Sequence, residues 1–230
     1  LGRIDNDQHF PTETDIEKQL VKAFSRTHGL AMVHASAQNI DRVVSIVRAA
    51  KQTGRILIID LYAAAVLEAT ENGKIPQSNW HEIALFVPQS QRKKIKKNEW
   101  FDLLAKHSSN RIFMETILQR PSKYVLLFRP LFMSDLSNNR CLKKSIYIYS
   151  QWEGYWDQGA YDMVKYWLEQ HSIPKLSIHT SGHASPNDLM SFVKALNPHK
   201  VVPIHSFFPE KYPELFPNVE AHNDGENWEV

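Results

Sequence analysis

Residues 178–185 read Ile-His-Thr-Ser-Gly-His-Ala-Ser, and residues 201–205 read Val-Val-Pro-Ile-His. Each is a short apolar run of β character that leads into histidine, and residues 188–196 between them read as one helix. A strand end presents its side chains to a cleft on backbone already fixed by the sheet. Histidines at neighbouring strand ends can therefore converge on one point. Histidine is the commonest metal ligand and the commonest general acid near neutral pH. The pairing points to one half of a hydrolytic metal site.

His183 sits among small residues, Ser181, Gly182, Ala184 and Ser185. Small neighbours let a large substrate approach the backbone. Ser185 or Asn187 can cap the helix that follows, and its first free amides suit an anion such as phosphate. Beside such a site His183 can protonate a leaving oxygen. An isolated Gly-His would be a packed strand–turn–helix; the flanking small residues and His205 downstream tip the reading to function. Neutral His205 at a strand end suits zinc, although one histidine is not a zinc site. His179 reads as an orienting or satisfied core histidine rather than a ligand. His34, His171, His199 and His222 take no role, and Asp60 at a strand end at most lines a cleft.

Ser36-Ala37-Gln38-Asn39, with Arg42 one turn further on, repeats the strand–turn–helix logic. Ser36 or Asn39 can cap the helix, and Arg42 can equally reach a phosphate. Ser150 and Gln151 end an apolar run and precede Trp152, Tyr155 and Trp156. Exposed, these rings are stacking platforms for bases; packed, they join two parts of the chain, which is the favoured reading. The basic run 92–97 reads first as a solvated helix face and second as a contact to a phosphate backbone.

The elements that must position these residues follow from pattern. Thr12 with Asp15 is a capping pair ahead of a helix carrying Ile16, Leu20, Val21 and Phe24, ended by Gly29. A strand at 30–33, a helix from Ile40 to Gly54 and a continuous apolar strand at 55–60 follow. That alternation implies an α/β fold with a parallel sheet. Residues 61–120 look mainly helical, broken by Pro76 and Pro88. Further strands are expected at 124–128, 145–149, 175–178 and 200–203, a helix at 160–170, and a short strand near Trp228.

The 230 residues suit one large domain or two small ones, and the net charge of +2 argues neither for nor against nucleic acid. One cysteine, Cys141, excludes a disulfide within the chain and fits a reducing compartment; the expected location is the cytoplasm. It reads as a loop or strand-edge residue rather than a nucleophile. No apolar run has the length of a membrane span, and no signal peptide, P-loop, Cys-x-x-Cys or Gly-x-Ser-x-Gly is present. Leu1-Gly2-Arg3 has no helix-start or targeting character, so the chain is expected to be cut from a longer polypeptide.

In order, Thr-Glu-x-Asp-Ile-Glu, a strand into Ser-Ala-x-Asn-x-x-Arg, Gly-Arg-x-x-x-x-Asp, Ser-Gly-His-Ala-Ser-x-x-Asp-Leu and Pro-Ile-His resemble the β-CASP proteins of the metallo-β-lactamase superfamily, ribonuclease J above all. The resemblance implies a β-CASP domain over residues 12–156. It implies the end of a first metallo-β-lactamase segment over 1–11, and the returning part of the αββα sandwich over 157–230. His183 matches the family's histidine near the scissile phosphate. His205 matches a zinc ligand of RNA-acting members, where DNA-acting members often carry valine. Ser181, Ser185 and Ser150 match positions that hold the terminal phosphate, and Asn39 and Arg42, with Ser36, a pattern lining the same cleft. The implied activity is zinc-dependent phosphodiester hydrolysis of single-stranded RNA, with two Zn2+ in the intact protein. The family's His-x-His-x-Asp-His is absent here. This chain alone is therefore expected to be inactive, partnered by a missing N-terminal metallo-β-lactamase half. A homodimer is common in the family, though no residue shows one. Two other readings stay open: a degenerate RNA-binding or scaffold subunit, and a small-molecule metallo-hydrolase of the same superfamily.

Overall fold

The computed structural model describes residues 10–137, 142–180, 184–204 and 206–228. Thr12 opens α1 (Glu13–Arg26) as expected: its hydroxyl accepts from Asp15 N at 3.2 Å while the Asp15 carboxylate accepts from Thr12 N at 3.1 Å. Both are amide donors the helix itself cannot satisfy. The helix stops at Thr27, earlier than Gly29. Gly29 has another duty, because a Cβ there would lie 2.5 Å from the Lys143 carbonyl oxygen. The backbone at Lys143 and Lys144 passes too close for any side chain.

The order continues β1 (Ala31–His34), α2 (Ile40–Gln52), β2 (Ile56–Ile59), α3 (Leu61–Glu68), β3 (Ile83–Leu85), α4 (Gln89–Asn98), α5 (Phe101–His107) and α6 (Met114–Gln119). Then come β4 (Tyr124–Leu127), α7 (Met133–Ser137), β5 (Ile146–Tyr149), α8 (Glu153–Asp157), α9 (Asp162–Gln170), β6 (Lys175–Ser177) and α10 (Pro186–Leu196). All six strands form one parallel sheet in the order β3-β2-β4-β1-β5-β6. The fold is α/β, a parallel sheet flanked by helices. β3 lies in the stretch expected to be mainly helical; its signal was the unbroken apolar run 83–87 before Pro88. The expected loop at 150–156 contains most of α8.

Side chains alternate across the sheet with the period of two that a pleated strand dictates. Ala31, Val33, Leu57, Ile59, Val125, Leu127 and Ile148 pack on one face with α1, α2 and α3. Met32, Ile58, Leu126, Phe128, Tyr147 and Tyr149 pack on the other with α7 and α9. Both faces are covered over β1 to β5, which is why those strands read as apolar runs, while the edge strand β6 (Lys-Leu-Ser) is exposed.

At the N-terminal edge of the sheet, buried Arg55 donates to the carbonyls of Phe24 (2.9 Å), Gly29 (3.1 Å), Tyr124 (3.2 Å) and Thr27. The carbonyls at the end of α1 have no partner within the helix, and a cation there also meets the negative end of its dipole.

The residues divide into two compact units, Pro11–Thr180, and Leu1–Phe10 with Ser181–Val230. α9 and β6, which lie beyond residue 156, belong to the first. The second holds α10, a bridge between Val201 and Val219, and a 3-10 helix Pro209–Glu214. The strand expected at 200–203 is reduced to that bridge, and no strand forms near Trp228 among the described residues. Instead the Trp228 ring stacks on His222 at 4.9 Å. No helix among the described residues is long and apolar enough to cross a membrane.

Candidate functional site

Parallel strands deliver their C-terminal ends to one edge, which is where α/β sheets place ligands. β1, β5 and β6 are neighbours there. Arg42, one turn into α2, is fully buried behind them. Its Nε donates to both Glu13 carboxylate oxygens (3.2 and 3.1 Å) and its Nη2 to Oε1 at 2.8 Å. Its Nη1 donates to the Ser150 carbonyl at 3.3 Å and to the Ser150 hydroxyl. That hydroxyl in turn donates to the Ile178 carbonyl at 2.6 Å, and Ser45 donates to Glu13 Oε2 at 2.9 Å. The chain of contacts ties the start of α1, the start of α2 and the ends of β5 and β6. It fixes the backbone three residues before Ser181.

The electrostatics follow from this geometry. Burial pushes the Glu13 carboxyl up, but Arg42 outweighs it through hydrogen bonds and charge, with help from Ser45 and His179, and the pKa lies below the usual range. His179 adjoins the cluster, and its Nδ1 is buried without a hydrogen-bond partner among the described residues. Burial, then the charge of Arg42, depress its pKa against the opposing pull of the Ser150 backbone, Glu13 and Glu153. His179 therefore lies beside the Ser150 backbone at the edge of the cluster.

Of the residues singled out by sequence, Arg42 and Ser150 meet directly. Asn39 is joined to them through the backbone: its Oδ1 accepts from Arg42 N at 3.0 Å and caps α2. Ser36 is exposed, and its hydroxyl accepts from Gln38 N at 3.2 Å. Ser185 lies in the other unit, where it caps α10 in a capping box with Asp188. Ser181, His183 and His205 lie outside the described residues.

Glu13 was missed in this role because an acid in the first turn of a helix is already accounted for by the helix dipole. A partner 29 residues away has no local signal. Asp60 was a weak candidate. It is buried, caps α3 through Ala63 N at 2.8 Å, and holds Arg129 Nη1 at 2.6 Å. The aromatic loop divides. Trp156 packs against Tyr149 at 5.0 Å, whereas Trp152 and Tyr155 stay about half exposed and meet edge to face at 5.1 Å. The Trp152 indole lies over Gly154, where a Cβ would meet the ring at 2.2 Å.

His34, given no role by sequence, ends β1 inside an aromatic cage of Phe128, Tyr147, Tyr149 and Tyr161. Its Nδ1 pairs with the Tyr147 hydroxyl at 2.5 Å. Burial, with Arg129 adding, lowers its pKa from 6.5 to about 4. The folded state therefore binds fewer protons than the unfolded chain between those values. Stability from this group is full above pH 6.5 and is lost as pH falls towards 4. The whole span is worth up to about 3 kcal/mol. His107 and His179, also depressed, add slope in the same window. Urea midpoints across it should fall less for His34→Leu/Tyr147→Phe, which removes both partners together, than for the parent chain. An identical fall would show that His34 is not the group that titrates.

Among the described residues, no group of three or more His, Cys, Asp or Glu could hold a metal ion. Those residues do not by themselves make a zinc site.

Residues 176–210 match the RMMBL family, described as the Zn-dependent metallo-hydrolase RNA specificity domain. The stretch includes Ser181, His183, Ser185 and His205. It relates this chain to Zn-dependent metallo-hydrolases that act on RNA. No curated protein matches the chain. Among solved structures, the crystal structure of a protein of unknown function from Enterococcus faecalis V583 is similar, with a TM-score of 0.64 at 19% identity. The likeness covers 95% of this chain and 46% of that one, so the chain spans about half the length of that structure. At this identity it is a likeness of fold.

Proposed function

We propose that this chain is the RNA-recognising portion of a zinc-dependent phosphodiester hydrolase of the ribonuclease J type, acting on single-stranded RNA. The observation that carries the reading is the RNA-specificity match at 176–210, which contains His183 and His205. His183 protonates the leaving oxygen or steadies the phosphate. By resemblance Ser36, Asn39 and Ser150 of the first unit, and separately Ser181 and Ser185, take phosphate-binding roles, and Arg42 sets the position of Ser150. His205 would be one zinc ligand in the intact hydrolase, with the other donors supplied from outside this chain, and zinc bound there would supply a water-derived nucleophile and polarise the phosphate.

Phe192 (61%) and Leu196 (60%), four residues apart on α10, are exposed large apolar side chains of the second unit.

The test compares the intact gene product with the 230-residue chain. The expected result is two zinc ions and RNA cleavage for the intact protein, and RNA binding without cleavage for the chain alone. An intact protein that binds RNA but neither holds zinc nor cleaves would overturn hydrolysis in favour of a degenerate binding subunit. Cleavage of small phosphodiesters without RNA binding would favour the small-molecule hydrolase.

A further inference from the structure

β2 and β4 are neighbours whose following helices leave to opposite faces. Leu61, Ala63 and Leu67 of α3 pack with the α1 and α2 face, and Leu136 of α7 packs on the aromatic face. A split of this kind opens a crevice at the C-terminal edge of a parallel sheet. Here it holds a cavity of about 450 Å³, lined by Tyr62, Ser90, Lys94, Trp100 and Arg129 among others. That size is within the roughly 300–1,000 Å³ of small-ligand sites.

The lining has a definite chemistry. Tyr62 is 41% and Trp100 47% exposed, so two large rings at this cavity remain open to solvent. The Arg129 guanidinium lies 4.5 Å from the centre of the Tyr62 ring, held there by buried Asp60. Gln91 Nε2, 2.8 Å from the same carboxylate oxygen, helps to fix that anchor. Of the Arg129 side-chain donors, only Nη1 has a hydrogen-bond partner among the described residues. Its other donors are left for a ligand. Lys94 brings a second cation from the basic helix α4, and Lys93, Lys96 and Lys97 are exposed on the same helix. The Ser90 hydroxyl is buried at this cavity without a hydrogen-bond partner among the described residues. A buried polar atom of this kind calls for a ligand or water.

We propose that this cavity is a nucleotide-binding subsite separate from the Arg42–Ser150 cluster. The base stacks on Tyr62 or Trp100, its phosphate meets Arg129 and Lys94, and Ser90 bonds the base or sugar edge. The nucleotide is either free or one unit of an RNA strand; only the strand form rests on the function proposed above.

Adenosine 5′-monophosphate and a short oligoadenylate RNA would be titrated separately into the full chain by calorimetry. The variants are Tyr62→Ala, Trp100→Ala and Lys94→Gln, with circular dichroism to confirm folding. Lys94→Gln, at an exposed side chain, keeps the test open if an aromatic variant fails to fold. Loss of a stacking ring should weaken binding by roughly fivefold or more. Lys94→Gln should weaken it less and flatten its salt dependence. Parallel losses for both probes support an RNA subsite. Losses for the mononucleotide alone support a free-nucleotide site. Mononucleotide binding in a chain that binds no RNA would sink the function proposed above and leave this site standing. Binding of both probes unchanged in all folded variants, or no mononucleotide binding by the parent chain, would overturn it.

Discussion

His183→Ala in the intact hydrolase is expected to lower the rate of RNA cleavage by about 10²–10⁴-fold, the range that a positioned general acid supplies. The RNA dissociation constant should change little, because the proposed role appears as the leaving oxygen gains charge. The two possible duties of His183 can be separated. A substrate with a low-pKa leaving group needs no proton, so it should restore most of the lost rate if His183 is the acid. If His183 only steadies the phosphate, both substrates should suffer alike. Ser185→Ala is the companion. Its hydroxyl caps α10 through Asp188 N at 3.1 Å, so this change costs helix stability as well as any phosphate contact. A His183→Ala protein that cleaves RNA at the parental rate would remove this residue from the mechanism.

Arg42→Ala is expected to destabilise the chain by about 4 kcal/mol, through loss of a buried ion pair and the void left behind. For a chain of this size that corresponds to a fall of roughly 8–16 °C in Tm. The arginine side chain is fully buried and its partner Glu13 only partly, at 34%. Most of the cost is therefore the lost packing and the untied Ser150, rather than a stranded carboxylate. Arg42→Met/Glu13→Leu, which removes both charges and keeps the volume, should recover much of the loss. The variant also changes the acid response. With Arg42 in place the Glu13 pKa lies below its ordinary 4.5. Its contribution is full above that value and is lost as pH falls through the lower, folded value. Without Arg42 that acid-sensitive part should vanish from the urea midpoints. Stability within experimental error of the parent chain would show that the cluster does not hold the strand ends.

Local chemistry carried far in this protein. The cap at Thr12, the apolar runs of β1, β2, β4 and β5, the strand at β6, and the α/β alternation were all legible, because each depends on neighbours within a few residues. The ends of β1 and β5 were legible for the same reason, whereas the strand expected ahead of His205 is only a bridge at Val201. β3 was not recognised, since a short apolar run before a proline reads as helix or strand until a sheet edge is available to pair with it. Tertiary structure alone decided three matters. It paired Arg42 with Glu13 and Ser150, which lie 29 and 108 residues away along the chain. It enclosed His34 in rings drawn from the residue after β4, from β5 and from the turn before α9, and so made its imidazole hard to protonate. It also placed Arg129 over Tyr62 beside the β2–β4 crevice. Burial and long-range charge depend on which strands become neighbours, and the order β3-β2-β4-β1-β5-β6 appears only when the sheet has formed.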